Sequence, residues 1–170
     1  MMKRSVQKKV CLLGDFAVGK TSLVRQFVEG QFDDRYLSTI GVKVSRKTVE
    51  LDQVQLNMMI WDLVGGNEYL HTERSYLMGT AGALIVCDLT RENTLDAYAR
   101  YTQQVRAVNA DAVIFYLANK LDLTAERQIT TGQLAQLCAS LGGDFLLTSA
   151  KTGAGVNEAF TQLARQIEGE

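Results

Sequence analysis

Eight residues near the start of the chain, Gly14-Asp15-Phe16-Ala17-Val18-Gly19-Lys20-Thr21, place two glycines, a lysine and a hydroxyl at the spacing G-x-x-x-x-G-K-T. That set suits an anion with several oxygens. Glycines let the backbone bend sharply and present N–H groups with no Cβ in the way. The lysine supplies positive charge, and the threonine hydroxyl is a ligand for a hard cation such as Mg²⁺. The flanks give the pattern its mechanical meaning. Val10-Cys11-Leu12-Leu13 before it reads as a short buried strand, and Leu23, Val24, Phe27 and Val28 after it share one helix face. Strand, glycine loop and helix form the setting in which this pattern holds phosphate, helped by the unpaired N–H groups and dipole of the helix start. The residues imply a nucleotide-binding chain in which Lys20 reaches the β- and γ-phosphates and Thr21 ligates Mg²⁺.

Four more polar clusters carry chemistry of the same kind. In Asp62-Leu63-Val64-Gly65, an aspartate at a strand end is placed to hold Mg²⁺ opposite Thr21, and Gly65 can bring a backbone N–H to the γ-phosphate. In Asn119-Lys120-Leu121-Asp122, the Asp122 carboxylate can accept two N–H bonds from guanine, which adenine cannot supply. Lys120 would lie along the base and Asn119 would tie loops together. In Thr148-Ser149-Ala150-Lys151, the Ala150 N–H can donate to guanine O6. Thr39, preceded by Phe32 and Tyr36, can supply a second Mg²⁺ ligand, with Phe32 packing edge-on against the base.

These clusters need a scaffold that brings strand ends together. Residues 42–51 alternate as a half-exposed edge strand, Asp52-Gln53 makes a two-residue turn, and residues 54–62 form the second strand of a hairpin. A glycine-bearing stretch over 63–80 holds a short helix around 72–77. Beyond it, apolar strands at 83–87, 113–117 and 145–147 alternate with helices over 91–108, 131–141 and the C-terminal stretch through Val156, Ala159, Phe160, Leu163 and Ile167. The expectation is an α/β fold: a mostly parallel six-stranded sheet with one antiparallel edge strand and helices on both faces. Ligands of such sheets bind at the C-terminal rim of the strands, where every cluster above falls.

A chain of 170 residues fits a single domain, here 1–170, and 46% hydrophobic with 22% charged residues is the composition of a globular one. A net charge of −1 gives no pull toward nucleic acid or an anionic membrane. Cys11, Cys87 and Cys138 sit in apolar or helical patterns and read as buried reduced thiols. No window reaches the ~20 apolar residues of a membrane span, and residues 164–170 hold no cysteine for prenylation. A cytoplasmic chain without its own anchor is expected, lipidated only through a tail outside this sequence. That end suits a prokaryotic relative as well as a eukaryotic one lacking its tail.

With these motifs in order, the sequence resembles a Ras-superfamily small GTPase over nearly its whole length. Ser38-Thr39-Ile40-Gly41-Val42 and Ile60-Trp61-Asp62 resemble the Rab branch most. The resemblance implies a monomeric GTP/GDP switch with nucleotide contacts from Asp15 to Ser22 and from Leu123 and Lys151 beside the residues named above. It also implies two mobile loops, about 32–41 and 62–78, that are ordered by γ-phosphate and Mg²⁺ and read by effectors and regulators. Ile40, Trp61 and Tyr76 match positions of a partner-binding patch in Rab-like relatives.

Two departures bear on catalysis, to which the resemblance assigns Lys20, Thr39, Gly65 and position 66. The family's pattern after the aspartate is Asp-Thr-Ala-Gly-Gln-Glu, whereas this chain has Asp62-Leu63-Val64-Gly65-Gly66-Asn67. Gly66 therefore stands where a glutamine orients the attacking water. Asn67 is one residue late and one methylene short as a substitute, and His71 is a weaker candidate still. Phe16 replaces the small residue usual in the phosphate loop, beside the route an activating protein's arginine would take. These features imply slow GTP hydrolysis, and they leave open a GTP-binding scaffold with little or no hydrolysis. An ATP-dependent kinase or motor is disfavoured by Asp122 and Ala150.

Overall fold

The computed structural model describes residues 2–33, 41–63 and 74–170. Six strands form one sheet in the order β2-β3-β1-β4-β5-β6. They are β1 Arg4–Gly14, β2 Val42–Glu50, β3 Val54–Leu63, β4 Thr80–Asp88, β5 Val113–Asn119 and β6 Asp144–Leu147. All neighbouring pairs are parallel except β2 with β3, an antiparallel hairpin that runs from Val42 opposite Leu63 to Glu50 opposite Gln55. The expected fold class is the observed one.

Side chains of β1 alternate between two cores, as the strand period of two requires. Val10 and Leu12 join Leu23, Val24 and Phe27 of α1 (Lys20–Glu29) and Val156, Phe160 and Leu163 of α5 (Val156–Glu168). There the Phe27 and Phe160 rings stack 4.0 Å apart, an arrangement that adds about 1 kcal/mol to simple burial. Cys11 and Leu13 join Leu77 of the short α2 (Arg74–Leu77), Tyr98 and Val105 of α3 (Ala97–Val108), and Leu134 and Cys138 of α4 (Thr131–Leu141) on the opposite face. α4 starts on a full capping box between Thr130 and Gln133.

Two elements differ from expectation. β1 begins at Arg4, six residues before its apolar run, because Arg4 to Leu12 pairs in register with Val54 to Asp62. The helix expected over 91–108 opens as a 3-10 turn, Glu92–Asp96, before α3. Thr94 is the reason: its hydroxyl donates to the Arg91 carbonyl at 2.7 Å and accepts from the Asp88 N–H at 2.9 Å, holding the first turn tight. Cys11, Cys87 and Cys138 are buried and free. Burial pushes the Cys87 and Cys138 thiols up to about 12, which removes them as nucleophiles. Among the described residues no helix is long and apolar enough to cross a membrane.

Candidate functional site

Because β1, β3, β4, β5 and β6 run parallel, their C-terminal ends share one rim. β1 delivers the candidate phosphate loop, Gly14 to Thr21, there, and α1 leaves it from Gly19, whose φ is +105. A Cβ at Gly19 would lie 2.3 Å from Asn119 Nδ2, and one at Gly14 would lie 2.5 Å from the Val86 carbonyl oxygen. Both glycines of the motif are thus demanded by backbone and neighbours that cannot give way. Ala17 also takes a left-handed conformation, at φ +64, which costs an L-residue about 1–2 kcal/mol.

The loop's carbonyls are turned toward donors of the protein. Lys20 Nζ donates to the carbonyls of Gly14 (3.0 Å) and Asp15 (3.1 Å). Arg91 Nη2 donates to the Phe16 carbonyl at 2.8 Å, and Asn119 Nδ2 to the Val18 carbonyl at 3.0 Å. A backbone whose oxygens are withdrawn in this way offers its N–H groups to an anion. Val18 is buried, Ser22 follows in the first turn of α1, and the Phe16 side chain is 57% exposed to solvent. Burial of Lys20 lowers its pKa to about 8, with Asp62 and Asp15 opposing the shift and Arg91 adding to it.

Thr21 Oγ1 donates to Asp62 Oδ2 at 2.6 Å. A hydroxyl from α1 and a buried carboxylate from β3 already converge, and two hard oxygens at one point are a donor set that fits Mg²⁺.

Asn119 is itself buried, at the end of β5, and joins three segments. Besides holding Val18, its Oδ1 accepts from Thr148 Oγ1 at 3.1 Å and from the Ala150 N–H at 3.3 Å. Ser149 Oγ donates to Asp122 Oδ1 at 2.7 Å, which fixes one carboxylate oxygen and leaves Asp122 on the rim beside Ala150. Lys120, at φ +72, turns its Nζ to Asp88 Oδ2 at 2.8 Å. Leu123 and Lys151 are exposed at the mouth of this region, and Phe32 is 38% exposed. Tyr36, Thr39, Gly65, Gly66, Asn67 and His71 lie outside the described residues, as does Ile40 of the partner-binding patch.

The polar cluster after β4 escaped the sequence reading. Asp88, 1% exposed, accepts from the Thr90 N–H and hydroxyl on Oδ1, and from Arg91 Nε (3.0 Å) and Lys120 Nζ on Oδ2. Burial alone would raise its pKa, but the hydrogen bonds from Lys120, Thr90 and Arg91 outweigh it and hold the carboxyl below the ordinary 3.8. Arg100 of α3 pairs with Asp15. The rule that found the other clusters, a polar group directly after a buried strand, also applies to Asp88.

The chain matches the Ras family model over residues 9–169. It is 35% identical over 160 residues to the human Ras-related protein Rab-8B, covering 94% of this chain and 77% of that protein. It is 35% identical to mouse Ras-related protein Rab-22A, covering 94% and 82%. With Dictyostelium discoideum Ras-related protein Rab-5A the identity is 36% over 162 residues, covering 95% and 81%. A family match across nearly the whole length, together with relatives at about 35% identity, shows that the chain belongs to the Ras family as a Rab-like small GTPase.

Proposed function

We propose that the chain is a guanine-nucleotide switch that hydrolyses GTP slowly with Mg²⁺. The observation that carries the reading is Asn119: one buried amide fastens the phosphate loop at Val18 to the segments bearing Ala150 and Asp122. Cradle and base reader are then one body, and a triphosphate is accepted only with a purine that suits Asp122. The loop N–H groups from Asp15 to Ser22 bind phosphate oxygens. Lys20, still largely protonated near pH 7, adds charge where negative charge builds on the leaving phosphates. Thr21, Asp62 and Thr39 would hold Mg²⁺, which when bound neutralises the β- and γ-phosphate oxygens. Lys120 lies along the base, and Phe32 and Tyr36 close its side.

Slow turnover follows from position 66. A glycine offers no side chain to orient water, so Thr39, Gly65 and Asn67 are left to do it. The loops around 32–41 and 62–78 are the segments whose order follows the γ-phosphate, and effectors and regulators read them through Ile40, Trp61 and Tyr76. A scaffold that stays occupied by GTP is the second reading, favoured by Gly66 and Phe16.

Single-turnover GTP hydrolysis of wild type and Gly66→Gln separates the two readings. The switch reading expects a measurable slow rate that rises about tenfold or more when the amide is restored, the low end of the gain a positioned group supplies. Equal rates contradict the assigned role of position 66, and no turnover in either variant supports the scaffold. Asp122→Asn should exchange guanine for xanthine preference, since it presents a donor where an acceptor stood.

A further inference from the structure

The four loop carbonyls held by donors are not held alike. Lys20 and Asn119, which hold three of them, belong to the motifs themselves. The Phe16 carbonyl is held by Arg91, from the segment between β4 and α3. Arg91 is in turn aligned by Asp88, whose Oδ2 takes its Nε while Nη2 reaches Phe16. The next residue, Ala17, is the one whose left-handed φ of +64 is unfavourable for an L side chain.

The Phe16–Ala17 peptide bond is trans, so the carbonyl of residue 16 and the N–H of residue 17 point in opposite directions from one rigid plane. Rotating that plane would carry Ala17 to a negative, relaxed φ and turn an oxygen inward in place of an N–H. We propose that Arg91 is a positioning residue: by holding the Phe16 carbonyl outward it keeps the Phe16–Ala17 peptide in its strained orientation, with the Ala17 N–H facing the nucleotide phosphates. This rests on the nucleotide-binding reading above. Strain at Ala17 favours the rotated plane, and the guanidinium, fixed by a buried carboxylate, holds it back. The protein binds in proportion to the fraction of loops facing the right way.

The test is a double-mutant cycle on GDP affinity, taken from association and release rates of fluorescently labelled GDP with Mg²⁺. Arg91→Ala should weaken binding about tenfold, the size expected when a charged hydrogen bond is lost. With Ala17→Gly the left-handed conformation is no longer costly, so removing Arg91 from that background should cost about twofold or less. Arg91→Lys, a single donor that cannot span Asp88 and Phe16, should fall between. Unchanged affinity in Arg91→Ala, or an equal loss in both backgrounds, overturns the proposal. Failure of the wild type to take up GDP would instead overturn the nucleotide-binding reading beneath it.

Discussion

The two ends of the sheet use the same kinds of charged residue with different consequences. At the far end from the rim, Lys3 pairs with Glu50 at 3.5 Å and Arg165 with Asp52 at 3.8 Å, and the Glu170 carboxylate accepts from the Asp52 and Gln53 N–H groups. At the rim, Arg91 and Lys120 pair with Asp88. The cations differ little, since Arg91 and Lys120 side chains are 38% and 31% exposed and Lys3 and Arg165 42% and 41%. The carboxylates differ greatly: Asp88 is 1% exposed, Glu50 55% and Asp52 77%. Water competes for the exposed acids and screens them, so such pairs contribute about 0–1 kcal/mol. A buried carboxylate keeps its geometry because losing a partner there means an uncompensated charge. Among these pairs it is burial of the acceptor, not the number of ion pairs, that separates the two ends; the far end's own buried acid, Glu168 at 7% exposure, pairs with Arg4 and Lys8 of β1 and so fastens a strand rather than a loop.

The sharpest way to break this comparison is Asp88→Ala. It should cost about 2–3 kcal/mol in urea unfolding at saturating GDP, at the low end for a buried pair because Arg91 and Lys120 can rehydrate. GDP release should quicken as well, since both the phosphate loop and the base loop lose their anchor. A stability loss under 1 kcal/mol would put Asp88 in the same class as Glu50. Because its pKa is depressed, the stability Asp88 supplies is present above the ordinary 3.8 of the unfolded chain and is lost as pH falls through its lower folded value. Between pH 5 and 8 the network should therefore be insensitive to pH.

Lys20 gives the intermediate effect and the opposite sign. Its folded pKa of about 8 lies below the ordinary 10.5, so the unfolded chain binds more protons between those values. Stability of the nucleotide-free protein should thus rise with pH across that window on this group's account. If Lys20 contacts phosphate as proposed, the bound anion restores the lysine's charge and binding takes up a proton. Calorimetric titration with GDP in buffers of different ionisation enthalpy should show uptake approaching one proton near pH 9 and little near pH 7. Equal proton exchange at both pH values would remove Lys20 from the phosphate contact.

The smallest effects belong to the far end. Lys3→Ala and Glu170→Gln should each change stability by about 1 kcal/mol or less and leave GDP release unaltered. A faster release from either variant would mean that the hairpin turn communicates with the rim.

The hydrophobic pattern made the fold legible: Val10 to Leu13, Ala83 to Cys87 and Val113 to Leu117 are continuous apolar runs because both faces of the sheet are covered. The first half of β1 was hidden because Arg4 to Lys9 lies near the open end of the sheet, where polar side chains reach solvent. Glycine and lysine spacing exposed the strand–loop–helix turn at Gly14 to Thr21, since each requirement there is local. Arg91 and Arg100 gave no such signal. Their partners Phe16 and Asp15 are 75 and 85 residues away in sequence, and only the closed fold brings them together.

The most direct measurement is uptake of labelled GDP by the purified protein with Mg²⁺, challenged by unlabelled GDP or ADP. Stoichiometric binding, displaced by GDP and about 10⁴-fold less readily by ADP, is the predicted result, the discrimination expected of a site built to pair its acceptor with the guanine N–H groups. No uptake, or equal displacement by both nucleotides, would contradict the claim that Asn119 joins a phosphate cradle to a guanine reader.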